Sequence, residues 1–242
     1  MSSAPSKAEY GAKIALVNAF TAPLDNAVAA ARTCYSSRII SPEEVHGSPD
    51  SAPETLLGFA QKRDNLARDL LRAGHHTVFQ HAYFQFTLEG VSRQFVWSFL
   101  HNHTFYNSEQ VSQRYVPVRE GSYVVPDGLS EARKTVFRAT VQAMFSAYND
   151  LCALLEEPTA AAFFERFPSR RNKRDKYQRA IQKKAMEAAR YVLPVATRTH
   201  LYHTVSGITL LRYHQRCLQG DAPWEQTQVV SAMLNAVLAF AP

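Results

Sequence analysis

Amphipathic helices and single alternating strands interleave along this chain without the steady strand–helix–strand rhythm of a parallel sheet, which limits the folds open to it. In residues 83–91, Phe84, Phe86 and Leu88 alternate with Gln85, Thr87 and Glu89, the period of a half-buried strand. Ser92 then caps an expected helix with the stripe Phe95, Val96, Phe99 and Leu100. Further helices are predicted over 24–33, over 54–72 with Gly74 ending it, and over 130–156, 175–192 and 206–217. A last one opens at Pro223 and carries Val229, Val230, Met233, Leu234 and Val237. Strands are predicted over 13–19, near 115–118, near 123–125 and over 197–205, with loops over 41–53, 101–113 and 167–175. Neither G-x-G-x-x-G nor G-x-x-x-x-G-K-[ST] occurs. The pattern implies an α+β fold, one sheet with helices packed around it.

Composition narrows the function classes. Hydrophobic residues make up 46% and charged residues 20% of the 242, ordinary globular values that exclude disorder as the dominant state. No run of about 18 uncharged apolar residues exists, so no membrane-spanning helix is expected. The first residues, MSSAPSKAEYGAK, lack an apolar signal core, so secretion is not expected. Cys34, Cys152 and Cys217 form no paired framework, which suits a reducing cytoplasm. Of the net charge of +6, the segment Arg166–Lys184 holds nine basic residues against Asp175, so 9 − 1 gives +8 there and −2 elsewhere. A solvated helix face, an anionic partner such as nucleic acid, and a funnel for phosphorylated substrates are all compatible with that run. Its apolar stripe favours the solvated face, and no specific nucleic-acid site is expected.

Three clusters hold residues that carry chemistry: 74–81, rich in histidine; 101–115; and 189–203, from Arg190 to His203. The histidines lack H-E-x-x-H and H-x-E…C-x-x-C spacing, so no metal site is expected, and backbone-bonded structural histidines are the plainer reading. Ser112, Gln113 and Arg114 together offer a hydroxyl, an amide and a guanidinium, a set able to hold a phosphate. Phe105, Tyr106 and Tyr115 flank it and suit a flat ring system.

Several segments in order resemble the flavin-dependent thymidylate synthases. Ser112-Gln113-Arg114-Tyr115 resembles the S-x-R-Y that follows the family's Arg-His-Arg triplet, and residues 74–81 its G-H-x-T-x-x-x-H segment. Ala31–Tyr35, Arg190–Pro194 and Trp224-Glu225 are similar to three further family segments, so the likeness spans about residues 13–235. The resemblance implies a single domain over residues 1–242 with that family's fold. It implies FAD as cofactor, NADPH and methylenetetrahydrofolate as co-substrates, and reductive methylation of a small-molecule nucleotide, dUMP, to dTMP. It further implies a cytoplasmic homotetramer, for which the apolar helix over 229–238 offers a surface. By matching positions, Ser112, Gln113, Arg114 and Arg190 bind the nucleotide, and His75, Thr77, His101, Asn102 and His103 the flavin. No catalytic side chain is assigned.

The departures point to weakened chemistry. The triplet falls on His101-Asn102-His103, in line with Thr104, or on Asn102-His103-Thr104, and either way both arginines are missing. Flavin-contacting Asn and Arg become Ser206 and Ile208, a nucleotide-binding Arg becomes Cys217, and an acidic position becomes Gln80. Arg212 and Arg216 stand nearby as partial substitutes. A catalytically weak or inactive relative that keeps a nucleotide-phosphate site and serves as a binding or structural subunit is therefore the alternative. If His101 or His103 replaces an arginine, turnover should rise as the pH falls from about 8 to 6, because imidazole gains its charge near 6.5.

Overall fold

The computed structural model describes residues 6–7, 10–103 and 106–241. It has the α+β class that the periodicity implies. Five strands, β1 (Ser6–Lys7), β2 (Lys13–Ala19), β3 (Tyr83–Ser92), β4 (Tyr106–Gln110) and β5 (Arg198–Ser206), form one sheet in the order β1-β2-β3-β5-β4. The β1–β2 and β2–β3 pairs are antiparallel, with Ile14 opposite Leu88 and Leu16 opposite Phe86. The chain gathers into two compact units.

The first unit comprises residues 1–89, 98–109 and 201–242. It holds α1 (Pro23–Thr33), α2 (Pro42–His46), α3 (Pro53–Arg72), α7 (Gly207–Leu218) and α8 (Trp224–Phe240). The segment expected to be a loop over 41–53 contains α2, because Ser41 and Glu44 form a reciprocal capping box that satisfies amides at the helix start. Gly74 takes φ 81° and ends α3, a conformation that costs a residue with a Cβ more. At the start of α7, a Cβ on Gly207 would stand 3.2 Å from the Phe79 carbonyl oxygen, so glycine lets the helix approach that backbone. The apolar stripe of α8 is absorbed here: Val229, Val230 and Met233 are fully buried in the chain's own core, and only its end leaves Leu238 and Phe240 exposed. That helix therefore gives little support to an oligomer surface.

His203 on β5 is fully buried among aromatic rings, 4.9 Å from Phe99 and 5.6 Å from Tyr106 between ring centroids. The Tyr213 hydroxyl meets its Nε2 at 3.5 Å, and its Nδ1 has no partner.

The second unit comprises residues 90–97 and 110–200. Ser92 accepts from the Phe95 amide at 2.9 Å, the cap expected for α4 (Arg93–His101), which begins in this unit. The helix expected over 130–156 is α5 (Glu131–Arg166), and it runs ten residues further, through Pro158. An interior proline costs about 3 kcal/mol. Burial of Ala160 and Phe164 against Ile181 of α6 (Arg174–Ala189), with Phe163 and Tyr177 beside them, offsets it at roughly 1.5–3 kcal/mol per large side chain. The segment 167–175 holds a 3₁₀ turn, Pro168–Lys173. No strand forms near 115–118, and Tyr123 makes only an isolated bridge to Thr197. Among the described residues no helix is long and apolar enough to cross a membrane.

Burial pushes the His203 imidazole down to about 3, against about 6.5 in an unfolded chain. Between those values the unfolded chain holds a proton that the folded one does not, so stability falls as the pH drops from about 6.5 toward 3. The slope reaches at most about 1.4 kcal/mol per pH unit. Urea midpoints of the wild type and His203→Gln from pH 7 to 5 should show a shallower pH slope in the variant. Identical slopes would show that His203 does not stay neutral.

Candidate functional site

The residues singled out in the sequence fall in both units. In the second, the chain leaves β4 with the Val111 amide donating to the His200 carbonyl at 3.1 Å, then turns at Ser112. The Ser112 hydroxyl accepts from the Arg114 amide at 3.2 Å, and its carbonyl accepts from the Val116 amide at 3.1 Å. Ser112 and Gln113 line a cavity of about 560 Å³ together with Arg93, Arg198, His200 and the loop over 116–122. The Gln113 Nε2 is buried without a partner there.

Arg93, the first residue of α4, donates to Gln110 Oε1 at 2.7 Å and to the Val111 carbonyl at 2.5 Å. Arg198 donates to the carbonyls of Tyr123 and Gly90, at 3.0 and 2.7 Å. Burial, with the Arg190 charge added, holds the Arg93 pKa below its ordinary value. Cations that repel one another, each held only by neutral acceptors, make this part of the chain receptive to an anion.

Arg114 and Arg190 converge on Glu187 of α6. Arg114 Nη2 lies 2.7 Å from a Glu187 carboxylate oxygen, and Arg190 Nε donates to the Glu187 carbonyl at 3.0 Å. The other carboxylate oxygen takes Lys184 Nζ at 2.9 Å. The Lys184 hydrogen bond, then the Arg114, Lys184 and Arg190 charges, hold the Glu187 pKa low. Tyr115 is exposed, with the Arg114 guanidinium and the Lys183 ammonium 5.7 and 5.5 Å from its ring centroid. The basic run is thus partly engaged: Lys183 and Lys184 serve this cluster, Arg174 pairs with Glu157, and Arg170 covers Phe167 at 4.3 Å.

In the first unit, His75 and Thr77 stand exposed at the 3₁₀ turn His76–His81. His76 has a structural role, its Nε2 lying 3.2 Å from the Leu71 carbonyl. Asn102 donates to Gln226 Oε1 at 2.5 Å, which ties the triplet to the core of α8. His103 Nε2 lies 2.8 Å from Arg212 Nη1 on α7. A guanidinium only donates, so Nε2 is the acceptor and the ring is the neutral, Nδ1-protonated form. His101 is exposed, and half-buried Tyr106 packs against buried His203. Thr104 and Phe105 lie outside the described residues. Among the described residues no three His, Cys, Asp or Glu side chains gather to hold a metal.

A sequence profile of the family described as thymidylate synthase complementing protein matches residues 15–242. The chain belongs to that family. Curated relatives agree. A flavin-dependent thymidylate synthase of Clostridium tetani is 27% identical over 96% of this chain and 84% of its own length. That of Nitratidesulfovibrio vulgaris is 30% identical over 88% and 77%. That of Geobacter sulfurreducens is 29% identical over 95% and 84%. The thymidylate synthase complementing proteins named in this way are enzymes, so the chain is a member of an enzyme family.

Sequence reasoning missed Arg93 and Glu187 in this family member, and it held Arg198 only as part of the cluster over 189–203, without a role. Glu187 carried a usable signal: it stands three residues from both Lys184 and Arg190, one helical turn each way. Arg93 carried none, and the role of Arg198 was hidden, because only folding sets their carbonyl partners around them.

The structure also alters the expected pH response. Burial, then the Arg212 charge, lowers the His103 pKa from 6.5, so any charge this ring gains comes at lower pH than a free imidazole would give. In an NMR titration His103 should protonate below pH 6.5. Arg212→Gln should raise that midpoint yet leave it below 6.5, since burial is the larger cause. A wild-type midpoint above 6.5 would contradict this.

Proposed function

We propose that this chain is an FAD-dependent thymidylate synthase that reductively methylates dUMP to dTMP, with methylenetetrahydrofolate and NADPH as co-substrates. The observation that carries the reading is the convergence of Arg114 and Arg190 on Glu187, beside Ser112 and a cavity lined by Arg93 and Arg198. Ser112, Arg114 and Arg190 are positions at which the sequence resembles the family's nucleotide-phosphate ligands. A phosphate takes paired bonds from guanidinium groups, and the Ser112 hydroxyl and Gln113 amide add neutral donors.

The methylene group is at the oxidation level of formaldehyde, so its conversion to a methyl group on C5 of the uracil needs two electrons. When bound, FAD supplies them by passing on the hydride of NADPH. The chain's own residues bind and orient. Ser112, Gln113, Arg114 and Arg190 anchor the nucleotide, while His75, Thr77, His101, Asn102 and His103 hold the flavin. The fit to an anionic flavin nucleotide rests on Arg212, an exposed guanidinium held by neutral His103 and, among the described residues, with no carboxylate at ion-pair distance. Several such chains assemble as a tetramer in the cytoplasm, by likeness to the family.

A slow enzyme, or one reduced to nucleotide binding, is the second reading, and a specific observation favours it. Ser206 caps α7 through the Thr209 amide at 3.4 Å, and Ile208 is buried in the apolar core, so both side chains are taken up by the fold. Each preorganised donor lost costs typically about 10²–10³-fold in rate.

The purified protein should take up FAD and turn yellow, and dTMP should form slowly from dUMP with both co-substrates. Arg114→Ala or Arg190→Ala should weaken dUMP binding by about 1.5–3 kcal/mol, the range for a charged hydrogen bond. Deoxyuridine, which lacks the phosphate, should lose much less. Equal losses for the two ligands would place these arginines elsewhere. Flavin uptake without any dTMP would select the second reading.

A further inference from the structure

The triplet His101-Asn102-His103 contains no side chain with a permanent positive charge, and folding supplies one beside it. Arg212 projects from the exposed side of α7, one residue before fully buried Tyr213. Its Nη1 donates to His103 Nε2 at 2.8 Å. The His103 ring stands edge-on to Tyr213, 6.3 Å between centroids and 84° between planes. Asn102, next in sequence, is pinned to buried Gln226. The imidazole therefore stands beside Tyr213 and follows an anchored residue in the chain where it meets the guanidinium. A carboxylate in its place would orient Arg212 and also cancel its charge. A neutral imidazole orients it and leaves the charge intact.

We propose that Arg212, held in place by neutral His103, is the cation in the first unit that binds a phosphate of the flavin nucleotide, taking over a task the triplet cannot perform. Arg212 makes the ligand contact, and His103 is a positioning residue. The inference rests on the flavin reading above. A planar guanidinium presents paired donors to phosphate oxygens, and fixing one of its nitrogens lowers the freedom lost on binding.

The experiment compares FAD with riboflavin, which has the same ring system and no phosphate, by quenching of flavin fluorescence on the purified full-length protein. Arg212→Gln should weaken FAD binding at least about tenfold, the effect of one charge-assisted hydrogen bond, and leave riboflavin within about twofold. Arg212→Lys should recover part of the loss. His103→Phe should weaken FAD several-fold. His103→Gln, whose amide oxygen also accepts a hydrogen bond, should restore it, a rescue that mere filling of space would not give. For wild type, FAD affinity should fall with added salt more steeply than for Arg212→Gln. Measured without flavin, dUMP binding should be unchanged in Arg212→Gln, which separates the flavin phosphate from the substrate phosphate.

Unchanged FAD affinity in Arg212→Gln would overturn the inference, as would equal losses for FAD and riboflavin. A His103→Gln variant as poor as His103→Phe would overturn the positioning role. Wild-type protein that takes up no FAD would remove the flavin reading itself and the inference with it. Normal uptake with an indifferent Arg212 removes the inference alone. Should any variant fold poorly, the wild-type salt dependence, FAD against riboflavin, still decides: parallel slopes would defeat the phosphate contact.

Discussion

Phe84, Phe86 and Leu88 leave almost no surface to solvent, and they alternate with Gln85, Thr87 and Glu89 along β3. A slip of one residue would turn all three outward, at roughly 1.5–3 kcal/mol each. Pairing to β2 fixes the register from the other side, with Ile14 and Leu16, both buried, opposite Leu88 and Phe86. The chain positions that follow are fixed in consequence. Ser92 arrives where its hydroxyl can cap α4, and Arg93 becomes the first residue of that helix. Its guanidinium reaches the end of β4, where Gln110 and Val111 accept from it. The position of a charged group at the candidate site is thus a consequence of apolar burial in a strand.

Arg93, Arg198 and Arg212 share one way of being held. Their acceptors are an amide oxygen, backbone carbonyls and an imidazole nitrogen, all neutral. Such partners fix direction without lowering the net charge, whereas an acid would remove about one unit of field from a region meant to attract an anion. Arg114 differs, since it pairs with Glu187. That carboxylate is shared with Lys184, and Arg190 bonds only its backbone carbonyl, so the cluster retains a net positive charge. An incoming phosphate dianion would find cations already oriented.

The elements legible in the sequence were those whose burial is periodic. Strands β2, β3 and β5 and helices α1, α3, α7 and α8 stand within a residue or two of where their apolar spacing placed them. β4 was not legible because its residues, Tyr106-Asn107-Ser108-Glu109-Gln110, carry no apolar alternation; it closes the strand order at one end, and pairing alone makes it a strand. The end of α5 was hidden because Pro158 reads as a stop, and only the contact with α6 outweighs it. At the site, Ser112 and Arg114 were picked out by the donors they set side by side, and Arg190 only by resemblance to the family. The pairing of His103 with Arg212 was not, since 109 residues separate them and no local pattern signals the contact.

Packing also explains why the departures from the family pattern hold together as a set. Ile208 belongs to the apolar cluster with Ala27, Val28, Ala31 and Phe79, and it is 4% exposed. An arginine at this position would bring an unpaired charge into that cluster, at a cost of several kcal/mol. Ser206, two residues earlier, supplies the hydroxyl that satisfies the Thr209 amide at the start of α7. One cap and one core residue therefore occupy positions where the resemblance places flavin contacts. The remaining face of α7 on which a cation can stand without desolvation is the exposed one, and Arg212 stands there. A neutral, partly buried His103 completes the change, because a cationic side chain at 2.8 Å from Arg212 would repel it, and an acid would neutralise it.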